Sequence, residues 1–134
     1  METGDPLLSK AAEARLRAYA PYSRFRVGAA LETTDGDVFV GCNVENASYG
    51  VTLCAERVAL GAAVAAGHTR FRRLALSTDG TAPVPPCGAC RQVLAEFGMD
   101  LSVVSEAGDV RAAWQLRDLF PEPFVFPEDG GRQG

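Results

Sequence analysis

Apolar positions along the chain fall into short blocks, separated by Gly, Pro, Asp and Ser, and each block carries its own period. Over residues 5–20, Leu7, Leu8, Ala11, Ala14, Leu16 and Ala18 predict an opening helix; Asp5 or Ser9 can cap it and Pro21 stops it. Residues 26–33 and 38–42 read as two strands, and Asp35-Gly36 between them signals a hairpin. The alanine-rich stretch 52–66 is a helix closed by Gly67. Residues 74–77 form a short buried strand, followed by a Gly/Pro-rich loop over 79–86. A third helix starts at Cys87 or Gly88 and runs to Phe97, where Gly98 ends it. A strand over 101–104, a turn at Ala107-Gly108-Asp109, a returning strand over 110–113 and a helical turn over 115–119 precede a Pro-rich tail. Strand, helix, strand, helix, strand after an opening hairpin predicts an α/β layer fold with a mixed sheet. There is no repeat and no linker, so residues 1–134 read as one domain, with 129–134 a disordered tail.

Composition narrows the partners. Hydrophobic residues make up 47% and charged ones 22%, too apolar for a disordered chain. Lys+Arg 13 against Asp+Glu 17 leaves −4, the wrong sign for a surface that neutralises phosphates, so a nucleic acid polymer is not the expected partner. The longest apolar run, over 58–67, is half of the roughly 20 residues a membrane span needs. The N-terminus has neither the basic nor the apolar region of a secretory signal. A cytoplasmic protein without membrane contact is expected. In a reducing compartment Cys42, Cys54, Cys87 and Cys90 are ligands or nucleophiles before they are disulfides. A chain of this size buries roughly two-thirds of its unfolded surface, and a deep pocket of its own is not assured.

Cys87-Gly-Ala-Cys90 follows Pro85-Pro86; alone it stays open between a redox dithiol and half of a metal site. Spacing of i, i+3 at a helix start sets both sulfurs on one face, where exposed N–H groups favour thiolates. Cys54-Ala-Glu56-Arg57 is a second such motif, also at a helix start. Three soft ligands and an open position are the pattern of a catalytic zinc, and Glu56 lies beside it without having to ligate. Cys42 alternates to the opposite face of its strand and reads as a core thiol; the alternative is the fourth ligand of a closed structural zinc. Asn43 and Glu45 stand two apart and face one side, a pairing that suits a sugar hydroxyl. His68 reads as a loop or capping residue, and Trp114 as core.

Cys-Ala-Glu followed about thirty residues later by Pro-Cys-x-x-Cys is the all-cysteine form of the zinc deaminase signature. Together with Tyr22-Ser-Arg-Phe-Arg-Val-Gly-Ala-Ala30, Gly41-Cys-Asn-Val-Glu-Asn-Ala-Ser-Tyr49 and Cys87-Gly-Ala-Cys-Arg-Gln-Val-Leu94, it resembles the small, tetrameric type of cytidine deaminase over about residues 22–126. That resemblance implies a three-layer α/β/α sandwich with a mixed sheet of about five strands. It implies one Zn²⁺ per chain on Cys54, Cys87 and Cys90, with Glu56 as the catalytic proton carrier. A zinc so held lowers the pKa of its water and supplies the nucleophile for the amine-bearing carbon of cytosine. Three thiolates leave a net negative centre; two helix N-termini, Arg57 and Arg91 are the groups able to offset it, and the resemblance puts Arg57 on the sulfurs. Further implied are Asn43 and Glu45 on the ribose, and Phe25 against the base. Ala47, Tyr49 and Phe124 reach a neighbouring subunit's pocket in a homotetramer. Phe124-Val-Phe126-Pro-Glu-Asp carries one residue more than the commoner Phe-x-Pro-Glu-Asp, leaving Phe124 and Phe126 as alternatives.

The expected reaction is hydrolysis of cytidine and 2′-deoxycytidine to uridine and 2′-deoxyuridine with release of ammonia, as in pyrimidine salvage. The charge of Glu45 would repel a phosphate, favouring nucleosides over nucleotides. A deaminase of an aminonucleoside antibiotic such as blasticidin S is the alternative within the superfamily. From other classes, a structural-zinc binding module has no use for Glu56, and a thiol-disulfide oxidoreductase on Cys87 and Cys90 would be metal-free.

Overall fold

The computed structural model describes residues 4–127; the tail over 129–134 lies outside them. Asp5 caps α1 (Pro6–Arg15) by accepting from the Leu7 N–H, and Pro6 occupies the first turn, where a missing N–H costs nothing. The helix ends at Arg15, five residues short of the expected boundary. Leu16, Arg17 and Ala18 close three-residue turns, and Tyr19 then pairs with Asn43 and Glu45. A backbone partner from across the fold takes residues whose local preference is helical.

β1 (Val27–Thr33) and β2 (Val38–Cys42) form the expected hairpin. Leu53 bridges Val44, so α2 (Ala55–Ala65) starts three residues later than its composition suggests. β3 (Phe71–Thr78), α3 (Gly88–Ala95), β4 (Ser102–Ala107), β5 (Val110–Gln115) and the single turn α4 (Leu116–Leu119) complete the chain. The sheet order is β2-β1-β3-β4-β5, with β3 and β4 parallel and every other neighbouring pair antiparallel. It is a mixed five-stranded sheet.

Strand alternation divides the core in two. Ala29, Leu31, Leu74, Leu76 and Val103 pack against Ala55, Ala59, Leu60 and Ala63 of α2 and Leu94 of α3. Ala30 and Ala75 point the other way, onto Leu7, Leu8 and Ala11 of α1. Helices therefore cover both faces, giving three layers. Two strand glycines set how closely they approach. A Cβ at Gly28 would fall 1.9 Å from the Ala11 carbonyl, and one at Gly41 would fall 2.5 Å from the Ala59 N and 2.6 Å from the Ala55 carbonyl. Gly28 seats α1; Gly41 seats the first turns of α2. Among the described residues no helix is long and apolar enough to cross a membrane.

Candidate metal centre and its surroundings

α2 follows β2 and α3 follows β3, so both helices begin at the same end of the sheet. Cys54 is the N-cap of α2 and Cys87 the N-cap of α3, while Cys90 lies buried in the first turn of α3. The three Sγ atoms lie within 4.8 Å of one another, and Cys54 Sγ and Cys87 Sγ are 3.9 Å apart. Sulfurs bound to zinc at about 2.3 Å in a tetrahedron would be separated by about 3.8 Å. The donor set and spacing fit zinc with a fourth position left to a non-protein ligand. Cys42 pairs with Gly28 on the α1 face and is outside the group, half-buried and free.

Charge at the centre is set by its neighbours. Hydrogen bonding from Cys90 and then from the Arg57 guanidinium holds the Cys54 thiol down to about 5 against the desolvation that opposes it. The Cys90 thiol moves up, because it shares its proton with Cys54 and is buried. Arg57 Nη2 lies 3.5 Å from Cys54 Sγ and 3.3 Å from the Thr52 carbonyl, while its Nε is buried without an acceptor, a cost that negative sulfurs reduce. Arg91, the other candidate to offset the sulfurs' charge, binds the backbone. Its Nε donates to the Pro86 carbonyl at 2.8 Å and its Nη1 to the Leu119 carbonyl at 2.9 Å, bracing the loop that delivers Cys87.

Glu56, in the first turn of α2, is only 6% exposed. Burial, reinforced by the nearby Cys54 sulfur, pushes its carboxyl up to about 7 against the pull of Arg57. It is the one buried carboxyl in this corner, and it stands two residues from a cysteine of the cluster.

Of the remaining predicted residues, Phe25 lies on a strap over 22–26 that leads into β1, and Asn43 and Glu45 bind that strap. The Asn43 side chain accepts from the Val27 N–H at 2.9 Å and donates to the Phe25 carbonyl at 2.9 Å. One amide hydrogen and one lone pair are left for another partner. Glu45 accepts from the Tyr22 N–H (2.9 Å), the Ser23 N–H (3.1 Å) and the Ser23 hydroxyl, and the Ser23 hydroxyl bond leads the forces that lower its carboxyl below the usual range. A small cavity of about 240 Å³ opens between Tyr22, Ser23, Glu45, Tyr49 and Thr52. A larger recess of about 730 Å³ sits at the far end of the sheet, between Phe71, Phe97 and Arg117, and contains no cysteine.

Ala47 is exposed, and the rings of Tyr49 and Phe124 stand 75% and 71% exposed. Tyr49 touches Tyr22 edge-on. Gln92 pins the backbone of Phe124 from both sides, donating to its carbonyl at 2.9 Å and accepting from its N–H at 3.1 Å. Phe126 is exposed as well. Ser23 and Gln92 lie inside the quoted motifs, yet nothing in their residue types announces these bonds. His68 is a loop residue, as expected, tilted against Phe39 and 3.4 Å from Asp37.

Comparison with known proteins agrees with this arrangement. Residues 1–106 match the family model described as the cytidine and deoxycytidylate deaminase zinc-binding region. The cytidine deaminase of Sporosarcina psychrophila is 47% identical over 123 residues, 90% of this chain and 90% of that relative. That of Halalkalibacterium halodurans is 57% identical over 91 residues, 68% of this chain and 69% of the relative. The crystal structure of cytidine deaminase from Burkholderia pseudomallei superposes with a TM-score of 0.86 at 49% identity, covering 92% of this chain and all of that one. With the family model spanning well over half of the sequence and the cysteine cluster where its chemistry needs it, the chain belongs to the cytidine and deoxycytidylate deaminase zinc-binding family.

Proposed function

We propose that the protein is a zinc-dependent hydrolase that deaminates cytidine to uridine, and 2′-deoxycytidine likewise, releasing ammonia. The observation that carries the reading is a buried carboxyl, Glu56, two residues from a cluster of three sulfurs with no fourth protein ligand among the described residues. Cys54, Cys87 and Cys90 would hold one Zn²⁺ per chain. When bound, zinc lowers the pKa of water toward neutrality and so makes hydrolysis possible at ordinary pH. Glu56 would take the attacking water's first proton and deliver it to the ring nitrogen beside the reacting carbon, then take the second proton from the added hydroxyl and pass it to the amine as the C–N bond breaks. Arg57 offsets the negative charge of the sulfurs. Phe25 lies along the base, and Asn43 and Glu45 spend their remaining hydrogen-bonding capacity on the ribose. The Glu45 carboxylate disfavours a phosphate there, so nucleosides are preferred to nucleotides.

Pyrimidine salvage in the cytoplasm suits this activity and the four free cysteines. The 240 Å³ cavity is smaller than the roughly 300–1,000 Å³ usual for a ligand site. Tyr49 lines it, Ala47 and Phe124 are exposed on the surface, and we assign all three to the pocket of a neighbouring subunit in a homotetramer. The Gln92 clamp favours Phe124 over Phe126 for that task.

One preparation tests the reading. Zinc near one per chain, cytidine turnover, and a Glu56→Gln variant that keeps its zinc but loses turnover by about 10²–10⁴-fold are expected. Zinc with no turnover in the parent protein would instead indicate a structural metal. Sedimentation of the active fraction should give four chains; full activity in a monomer would remove Tyr49 and Phe124 from the pocket.

A further inference from the structure

Phe25 is held by its backbone on every side. Its N–H donates to Ser23 Oγ at 3.0 Å and its carbonyl accepts from Asn43 Nδ2 at 2.9 Å. On one flank Arg24 is in the left-handed region, at φ 61°, a conformation a non-glycine residue keeps only when its surroundings enforce it. On the other flank Arg26 is bound to Asp79 just after β3. The Asp79 carboxylate accepts from the Arg26 N–H (3.1 Å), Nε (2.8 Å) and Nη2 (3.1 Å), and the Asp79 N–H returns a bond to the Arg26 carbonyl at 3.1 Å. The path of the strap is therefore determined. What remains free is the placement of the aromatic ring.

Gly80 closes that freedom. A Cβ there would meet Phe25 Cε1 at 2.9 Å and Cζ at 3.4 Å, and its next neighbour is the Ala82 carbonyl at 3.8 Å. Gly80 is not among the glycines at positive φ, so its backbone would accept an alanine. The ring alone requires the missing side chain. We propose that Gly80, fixed by the Asp79–Arg26 clamp, is a positioning residue that sets the ring of Phe25 and so shapes the base side of the nucleoside pocket. This rests on the reading of Phe25 as the base-facing aromatic. An alanine at position 80 pushes the ring from its seat by a few tenths of an ångström, enough to spoil a stacking contact without disturbing the core, which contains neither residue.

The test is a double-mutant cycle on the zinc-loaded protein, read by uridine affinity in calorimetry and by cytidine KM and kcat. Gly80→Ala should raise the uridine Kd and the cytidine KM by about three- to tenfold, the scale of a lost aromatic contact, with kcat within about twofold. In a Phe25→Leu background, where no ring atoms reach the clash, adding Gly80→Ala should change neither quantity. Thermal unfolding of each variant checks that both fold. An unchanged Kd in Gly80→Ala, or the same factor in both backgrounds, overturns the proposal while leaving the deaminase reading intact. Parent protein that neither binds uridine nor turns over cytidine overturns the deaminase reading and the proposal with it, and needs no variant to be seen.

Discussion

Asn43, proposed to face the sugar, also serves the frame. The two ends of its amide bind the backbone of the strap at Phe25 and of β1 at Val27, and it is buried. Its spacing from Glu45 suggests a sugar-facing pair in the sequence; its grip on residues eighteen and sixteen positions away is not legible there, because it depends on how the chain folds back. Truncation would leave the half-buried Val27 N–H and Phe25 carbonyl without this partner. Asn43→Ala should therefore lower the stability to urea by about 1–3 kcal/mol in addition to weakening nucleoside binding. A residue that served the sugar alone would leave unfolding within about 0.5 kcal/mol of the parent, and that result would return Asn43 to a purely substrate-facing role. Arg91 teaches the complementary lesson. Its place after a ligand motif leaves a role beside the sulfurs and a local one both open, and its guanidinium is held by two carbonyls at ordinary hydrogen-bond length.

At the scale of elements, apolar period and punctuation identify the hairpin, the helices and the later strands of a mixed sheet, while the parallel pairing of β3 with β4 comes from the structure. Boundaries failed where a distant backbone intervened, as Tyr19 and Leu53 do by pairing with Val44. Gly28 and Gly41 looked like ordinary strand residues in the sequence, since nothing local reveals that a helix backbone lies against each. The two separate scaffold from site. Gly28→Ala drives a Cβ into α1, which carries none of the clustered cysteines; Gly41→Ala drives one into the turns of α2 that carry Cys54 and Glu56. Each overpacking should cost about 1–3 kcal/mol or more in urea unfolding. Only Gly41→Ala should also lose zinc during dialysis against a mild chelator, by metal analysis of the folded fraction. Equal zinc retention in both variants would mean that α2 absorbs the strain without moving its first turn.

Across the whole molecule, Asp79 joins the layers. It binds Arg26 at the start of the sheet and lies 3.6 Å from Nε of Arg15. Arg15, the last residue of α1, also donates to Ser77 Oγ and to the Thr78 carbonyl, both at 3.1 Å. The Arg26 hydrogen bonds hold the Asp79 carboxyl below its usual range, with the charges of Arg26 and Arg15 adding to the effect. A depressed carboxyl in the folded state stabilises the protein above the unfolded value of about 3.9, and that contribution fades as pH falls through the folded value. Asp79→Asn should therefore unfold at lower urea than the parent at pH 7. The gap should narrow on acidification, closing only below the ordinary carboxylate range. Zinc release on acidification affects both proteins alike, so the difference between their midpoints isolates Asp79. A gap that stayed constant from pH 7 to pH 2 would show that the residue acts by shape and not by charge, and would leave Arg15 and Ser77 as the link between α1 and the sheet.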